Sequence, residues 1–87
     1  MCTYTTEHAK LTGSAKGRNG WFSLDEATVY YDHPAHALAE HTLNIDFANP
    51  AVGPAGRIGV ELTAASAREL VAAIERALAS VPEGMLS

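Results

Sequence analysis

The alternation of apolar and polar residues in the segments 21–33 and 40–47 is the feature that most constrains the fold of this chain. Apolar side chains at every second position are typical of a β-strand with one buried face. When the two segments are paired antiparallel with Val29 opposite Ile45, the apolar residues of both lie on one side. A shift of one residue would bury polar groups, so the pattern predicts this single register.

A third apolar segment, 57–62, continues the same face. Pairing Phe47 with Ile58 brings its apolar residues opposite those of the preceding strand. A segment near 3–12 has the composition of a strand and supplies a fourth. The four segments together predict an antiparallel sheet with one apolar face, which needs a cover.

One amphipathic helix near the C-terminus supplies that cover. Strong helix formers fill residues 64–79, and Thr63 is placed to cap the first turn. Pro82 and Gly84 end the helix and leave a loose tail at 83–87. The apolar residues recur three or four positions apart and form one stripe: Ala67, Leu70, Val71, Ile74, Ala77 and Leu78. The sequence therefore predicts an α+β fold of order β-β-β-β-α, a four-stranded antiparallel sheet with one C-terminal helix packed on one face.

Two segments rich in glycine and proline, 13–20 and 48–56, are predicted to be loops. The second strand is long, and its apolar positions change phase between Leu24 and Ala27. A β-bulge or bend near residues 25–26 reconciles the two halves.

The length of 87 residues predicts a single domain, residues 1–87, with a thin core. Hydrophobic residues make up 47% of the chain, but 16 residues are alanine, so few large side chains are left to bury. Folding at this size buries only about 60–65% of the surface of the unfolded chain. We therefore expect a homodimer or a higher homo-oligomer, in which the polar outer face of the sheet meets a second copy.

Charge and cysteine content exclude several classes of partner. Six Lys+Arg against ten Asp+Glu give a net charge of −4, which argues against binding to nucleic acid or to an anionic membrane. No apolar run approaches the ~18 residues of a membrane span, and no basic region followed by an apolar stretch opens the chain. One cysteine cannot form an internal disulfide, so we expect a cytoplasmic protein.

Three of the four histidines fall within nine residues and predict a metal site. In the predicted register His33 and His41 lie opposite each other at the strand ends, with His36 on the loop between them. Three imidazoles can hold a divalent transition metal ion such as zinc, copper or nickel, with Asp32 or Glu40 as a fourth ligand or as a hydrogen-bond acceptor behind the ligands. The candidate metal ligands are His33, His36 and His41, with Cys2 and His8 as further candidates. The spacing matches no established zinc motif, and histidines that only cap the apolar face would give the same pattern. The leading expectation is a small soluble metal- or ligand-binding protein.

A metal-independent enzyme of the isomerase or cyclase type is the alternative. The polar face of the predicted sheet carries His8, Tyr30 and Asp46, whose groups suit general acid–base catalysis in a cavity enclosed by dimerisation. The sequence contains no nucleophile motif of a hydrolase. A third alternative is a non-catalytic accessory protein.

Three segments of the chain resemble a family of short bacterial proteins of unknown function. They are the opening residues 1–4 (MCTY), the segment 17–22 that ends in GWF, and the stretch YDHPAHALAEHTLNIDF over 31–47. The resemblance covers the whole chain and implies no activity, cofactor or fold.

Overall fold

The computed structural model of the protein describes residues 5–35 and 38–86. Four strands form one antiparallel sheet in the order of the sequence, and a helix packs on the sheet, so the predicted α+β fold is confirmed. The elements are β1 (Thr6–Gly17), β2 (Gly20–Asp32), β3 (Thr42–Ala48), β4 (Arg57–Leu62) and α1 (Ala64–Ala79), with short 3-10 turns at Pro50–Val52 and Glu83–Met85.

The register of the three C-terminal strands is the one that the apolar pattern predicts. Val29 of β2 lies opposite Ile45 of β3, and Phe47 of β3 lies opposite Ile58 of β4. Because side chains alternate between the two faces of a sheet, this register gathers the apolar residues on the side that α1 covers.

The prediction of a loop over residues 13–20 was wrong, because most of this segment is strand. β1 continues to Gly17, which pairs with Gly20 across a two-residue turn, and Gly20 has a φ of +106°. A Cβ at Gly17 would lie 3.0 Å from the carbonyl oxygen of Ala55 and 3.1 Å from the ring of Phe22. Gly17 therefore allows the strand and the loop to approach closely. Composition alone does not distinguish a glycine in this role from a glycine in a flexible turn.

A β-bulge interrupts the pairing of β1 with β2 at the predicted place. Lys10 pairs with Glu26 and Gly13 with Leu24, so two residues of β1 lie opposite Asp25 alone. The extra residue belongs to β1, whereas the change of apolar phase lies in its partner β2.

The connection between β3 and β4 is held closed by its own hydrogen bonds. The backbone N–H of Asn49 donates to the carbonyl oxygen of Gly56 at 2.8 Å, and the N–H of Gly56 donates to that of Gly53 at 3.0 Å. The side-chain amide of Asn49 also donates to the carbonyl oxygen of Ser23 at 2.8 Å, which ties the connection to β2.

The core between sheet and helix is thin. Among the described residues, Ala27 is the one buried hydrophobic side chain, at 5% exposure. The larger side chains of the α1 stripe are about half exposed, so α1 covers the apolar face incompletely. In the described chain, no helix has both the length and the apolar character that crossing a membrane requires.

The N-terminus of α1 offers a direct test of how much one cap contributes. The Thr63 hydroxyl accepts a hydrogen bond from the Ser66 backbone N–H at 3.1 Å. Thr63→Ala removes this acceptor, and we expect it to lower the free energy of unfolding by about 1 kcal/mol. Thr63→Ser keeps the hydroxyl and should cost a few tenths of that in the same urea titration. Equal losses in the two variants would contradict the capping role.

Candidate functional site

The two described histidines of the β2–β3 connection lie against each other. The rings of His33 and His41 stack with centroids 4.7 Å apart and planes inclined by 27°. Tyr31 extends the stack, with its ring centroid 6.0 Å from that of His41. The register explains this arrangement. Tyr31 lies opposite Leu43, so His33 and His41, the next residues on the same face of each segment, lie next to each other. We refer to His33 and His41 as the histidine pair.

Backbone groups fix the orientation of the His33 ring. Its Nδ1 lies 3.0 Å from the carbonyl oxygen of Glu40. A carbonyl oxygen only accepts hydrogen bonds, so Nδ1 carries the proton and the neutral ring bears its lone pair on Nε2. The backbone N–H of His33 donates to Asp32 Oδ1 at 2.7 Å. Both acidic residues predicted beside the site therefore accept a hydrogen bond from His33. Asp32 accepts through its carboxylate, and Glu40 accepts through its main-chain carbonyl oxygen.

Of the three other predicted metal ligands, one is described and lies away from the histidine pair. Cys2 and His36 lie outside the described residues. His8 lies on β1, opposite Thr28 in the register, and its Nδ1 is 3.3 Å from the Thr28 hydroxyl. Within residues 5–35 and 38–86, no group of three or more His, Cys, Asp or Glu side chains is arranged to hold a metal ion.

The connection that carries the histidines is anchored over the polar face of the sheet. The backbone N–H of Ala35 donates to the carboxylate of Glu61 on β4. At this end of the sheet Thr42 is fully buried and Asn44 is 6% exposed, and the Thr42 hydroxyl donates to Asn44 Oδ1 at 2.7 Å. Glu61 therefore acts here as a tether for the chain that follows His33.

The centre of the polar face holds a charged pair that sequence analysis missed. Arg57 donates from Nε to Asp46 Oδ1 at 3.0 Å, and its Nη2 donates to the other carboxylate oxygen. These hydrogen bonds, and then the charge of Asp46, raise the pKa of Arg57 above its ordinary value. The signal was present in the predicted register: Gly59 lies opposite Asp46, and Arg57, two residues earlier on the same face, reaches Asp46 diagonally.

The candidate catalytic residues are therefore engaged in different contacts. His8 bonds with Thr28, and Asp46 bonds with Arg57. Tyr30 and Asp46 line one shallow depression of about 490 Å³, together with Asn44, Gly59 and Glu61. The depression is open to solvent and has the charged pair at one end and the Glu61 tether at the other.

A larger concavity, the apolar cleft, lies on the opposite face between α1 and the sheet. Its volume is about 1000 Å³, and Tyr31, the third ring of the histidine stack, forms part of its wall. The cleft is lined from the sheet by Val29, Tyr31, Leu43, Ile45, Phe47 and Leu62, and from α1 by Ala67, Leu70, Val71 and Ile74, with the charged side chains of Arg68 and Glu75.

Comparison with known proteins places the chain in a family. A model described as a family of unknown function, DUF6295, matches residues 1–87. The chain belongs to the DUF6295 family. No curated protein and no solved structure matches the chain.

The DUF6295 match agrees with the resemblance found in the sequence, which also covers the whole chain and implies no activity. It spans the histidine pair, the polar face and the apolar cleft alike. The choice among these three sites therefore rests on their geometry.

Proposed function

We propose that this DUF6295 protein is a small metal-binding protein that holds a divalent transition metal ion, such as zinc, copper or nickel, at the histidine pair. The observation that carries the proposal is the hydrogen bond between His33 Nδ1 and the Glu40 carbonyl oxygen. Histidines that bind metal ions almost always donate their other ring N–H to an acceptor of this kind, which fixes the ring and its tautomer. His33 has that acceptor within its own connection.

The spacing of the two rings supports the proposal. In a tetrahedral site with metal–nitrogen bonds of about 2.0–2.1 Å, two ligating nitrogens lie about 3.3 Å apart. The centroids of the stacked rings are 4.7 Å apart, so the two imidazoles are near enough to share one ion once one ring turns its lone pair toward the position that the other faces. His36 on the same connection is the candidate for a third ligand, and Cys2 is a further candidate from the sequence, whereas His8 lies on β1 beside Thr28. Copper, nickel and zinc all favour imidazole.

Titration of the tag-free full chain with zinc and with nickel tests this function. We expect one ion per chain, and we expect His33→Ala and His41→Ala each to weaken binding at least about tenfold. His36→Ala should weaken binding as well if the third imidazole completes the site.

His8→Ala is the matched control, because it removes one imidazole on β1 and leaves the histidine pair intact. Its affinity should equal that of the parent protein. Absence of binding in the parent, or equal losses in His8→Ala and His33→Ala, would contradict the proposal. The second result would mean that binding reflects the number of histidines and not their arrangement.

We also propose that the protein works as a homodimer in the cytoplasm. The thin core supports a homodimer, because one buried hydrophobic residue among those described is little for a chain of this length. The single cysteine, which cannot form an internal disulfide, supports the location.

A metal-independent isomerase or cyclase on the polar face is the second candidate. The depression lined by Tyr30 and Asp46 favours it, since it brings a phenol and a carboxylate together. We rank it below metal binding because Asp46 accepts hydrogen bonds from two nitrogen atoms of Arg57, and His8 is hydrogen-bonded with Thr28. A non-catalytic accessory role would use the same polar face as a partner surface.

A further inference from the structure

The apolar cleft exposes large hydrophobic side chains that a folded chain normally buries. On α1, Leu70, Val71, Ile74 and Leu78 are 44–55% exposed, and all but Leu78 line the cleft. Isolated exposed apolar residues are common on protein surfaces, but a continuous apolar concavity marks a binding surface.

The size of the uncovered area indicates what kind of partner fits. The chain has an accessible surface of 6522 Å², whereas a compact monomer of 9.2 kDa has about 4900 Å². Its radius of gyration is 14.6 Å, against about 12 Å for a compact chain of 87 residues. The excess is therefore about 1600 Å² per chain. Burial of about half of that excess on each of two chains would give an interface of about 1600 Å² in total, the standard size of a stable protein–protein interface.

The charges at the cleft fit a second copy of the same chain. Arg68 and Glu75 both line the cleft from α1 and lie seven residues, about two helical turns, apart. If two copies of α1 pack antiparallel about a two-fold axis near Val71, Arg68 of each copy lies beside Glu75 of the partner subunit. Each copy then supplies the opposite charge that the other needs, as a self-complementary interface requires.

We propose that the apolar cleft is the homodimer interface, with the two α1 helices packed antiparallel across a two-fold axis near Val71. This inference rests on the proposed homodimer and adds the surface through which the copies meet. It moves the interface from the polar face, where the sequence led us to expect it, to the opposite side of the sheet. The polar face and the charged pair of Asp46 and Arg57 then stay open to solvent.

The mass of the full chain, measured by light scattering over a range of concentrations, tests the proposal. We expect a dimer for the parent protein, and we expect Val71→Glu to raise the dissociation constant at least about 100-fold, because it places two carboxylates at the axis. Ala65→Glu is the matched control: it lies on the same helix, is exposed and does not line the cleft. It should change the dissociation constant less than about twofold. EDTA is present throughout, so the result does not depend on metal binding.

A charge reversal keeps the test decisive if circular dichroism shows that Val71→Glu is unfolded. Arg68→Glu and Glu75→Arg should each raise the dissociation constant about tenfold, and the double variant should restore it, because the exchanged charges face each other again. A monomeric parent protein would overturn both the homodimer and this interface. A dimer insensitive to Val71→Glu and to both charge reversals would leave the homodimer standing and overturn the interface.

Discussion

Replacement of Gly56 by alanine is expected to lower the free energy of unfolding by about 2–3 kcal/mol. A Cβ at this position would lie 2.7 Å from Val52 Cβ and 2.9 Å from the carbonyl oxygen of Asn49. Both distances are shorter than real contacts of a Cβ, and the second involves the backbone, so the connection would have to open. Opening it strains the two hydrogen bonds that Gly56 makes, with Asn49 and with Gly53.

Thermal unfolding at a fixed protein concentration measures this effect, with a midpoint lowered by about 8–24 °C. Gly84→Ala is the matched control, because a Cβ there has no atom within 4 Å and the residue has no positive φ. It should leave the midpoint unchanged or raise it slightly, since alanine restricts the unfolded chain. A similar loss in both variants would show that crowding at Gly56 is not the cause.

Replacement of Asn44 by alanine is expected to cost about 2–3 kcal/mol. The residue is 6% exposed, and its Oδ1 accepts from the hydroxyl of Thr42, which is fully buried. The substitution leaves that hydroxyl without this acceptor and opens a space where the amide was. In the part of the chain that the structure describes, no buried side-chain polar atom of the parent protein lacks a hydrogen-bond partner.

A double-mutant cycle separates the hydrogen bond from the lost volume. Thr42→Val removes the donor and should cost about 1–2 kcal/mol, and Thr42→Val combined with Asn44→Ala should cost about 1 kcal/mol less than the sum of the two. Thr28→Val is a suitable control, since its hydroxyl is only partly buried and its contact with His8 is longer, at 3.3 Å. If the two losses in free energy of unfolding simply add in urea titrations, the hydrogen bond between Thr42 and Asn44 does not contribute as predicted.

The histidine pair shows which features of a site the alternation of side chains along a strand can predict and which it cannot. Side chains alternate with a period of two, so once Val29 lies opposite Ile45, the positions of His33 and His41 on one side follow. The hydrogen bond between His33 and the Glu40 carbonyl could not be predicted in this way, because the path of a loop depends on contacts made elsewhere. One of these contacts is the Glu61 carboxylate, which lies 26 residues from Ala35 in the sequence.

The charged pair on the polar face shows the opposite limit. Asp46 was a candidate acid–base residue because its type and its face were known from the sequence. Its hydrogen bonds with Arg57 run diagonally between β3 and β4, which is a property of two strands together. Residue type and parity therefore identified the carboxylate, and the cross-strand geometry decided its partner.

The sequence by itself determined the order of elements, the register of β2, β3 and β4, and the bounds of α1. All three follow from periodicity and capping, which are local properties of the chain. Only the tertiary structure decided that residues 13–17 extend a strand, that Arg57 binds Asp46, and that α1 leaves a cleft of about 1000 Å³ over the apolar face. The physical reason is that each depends on how closely two distant segments approach, and a pattern of residue types specifies the face of an element but not its distance from the next.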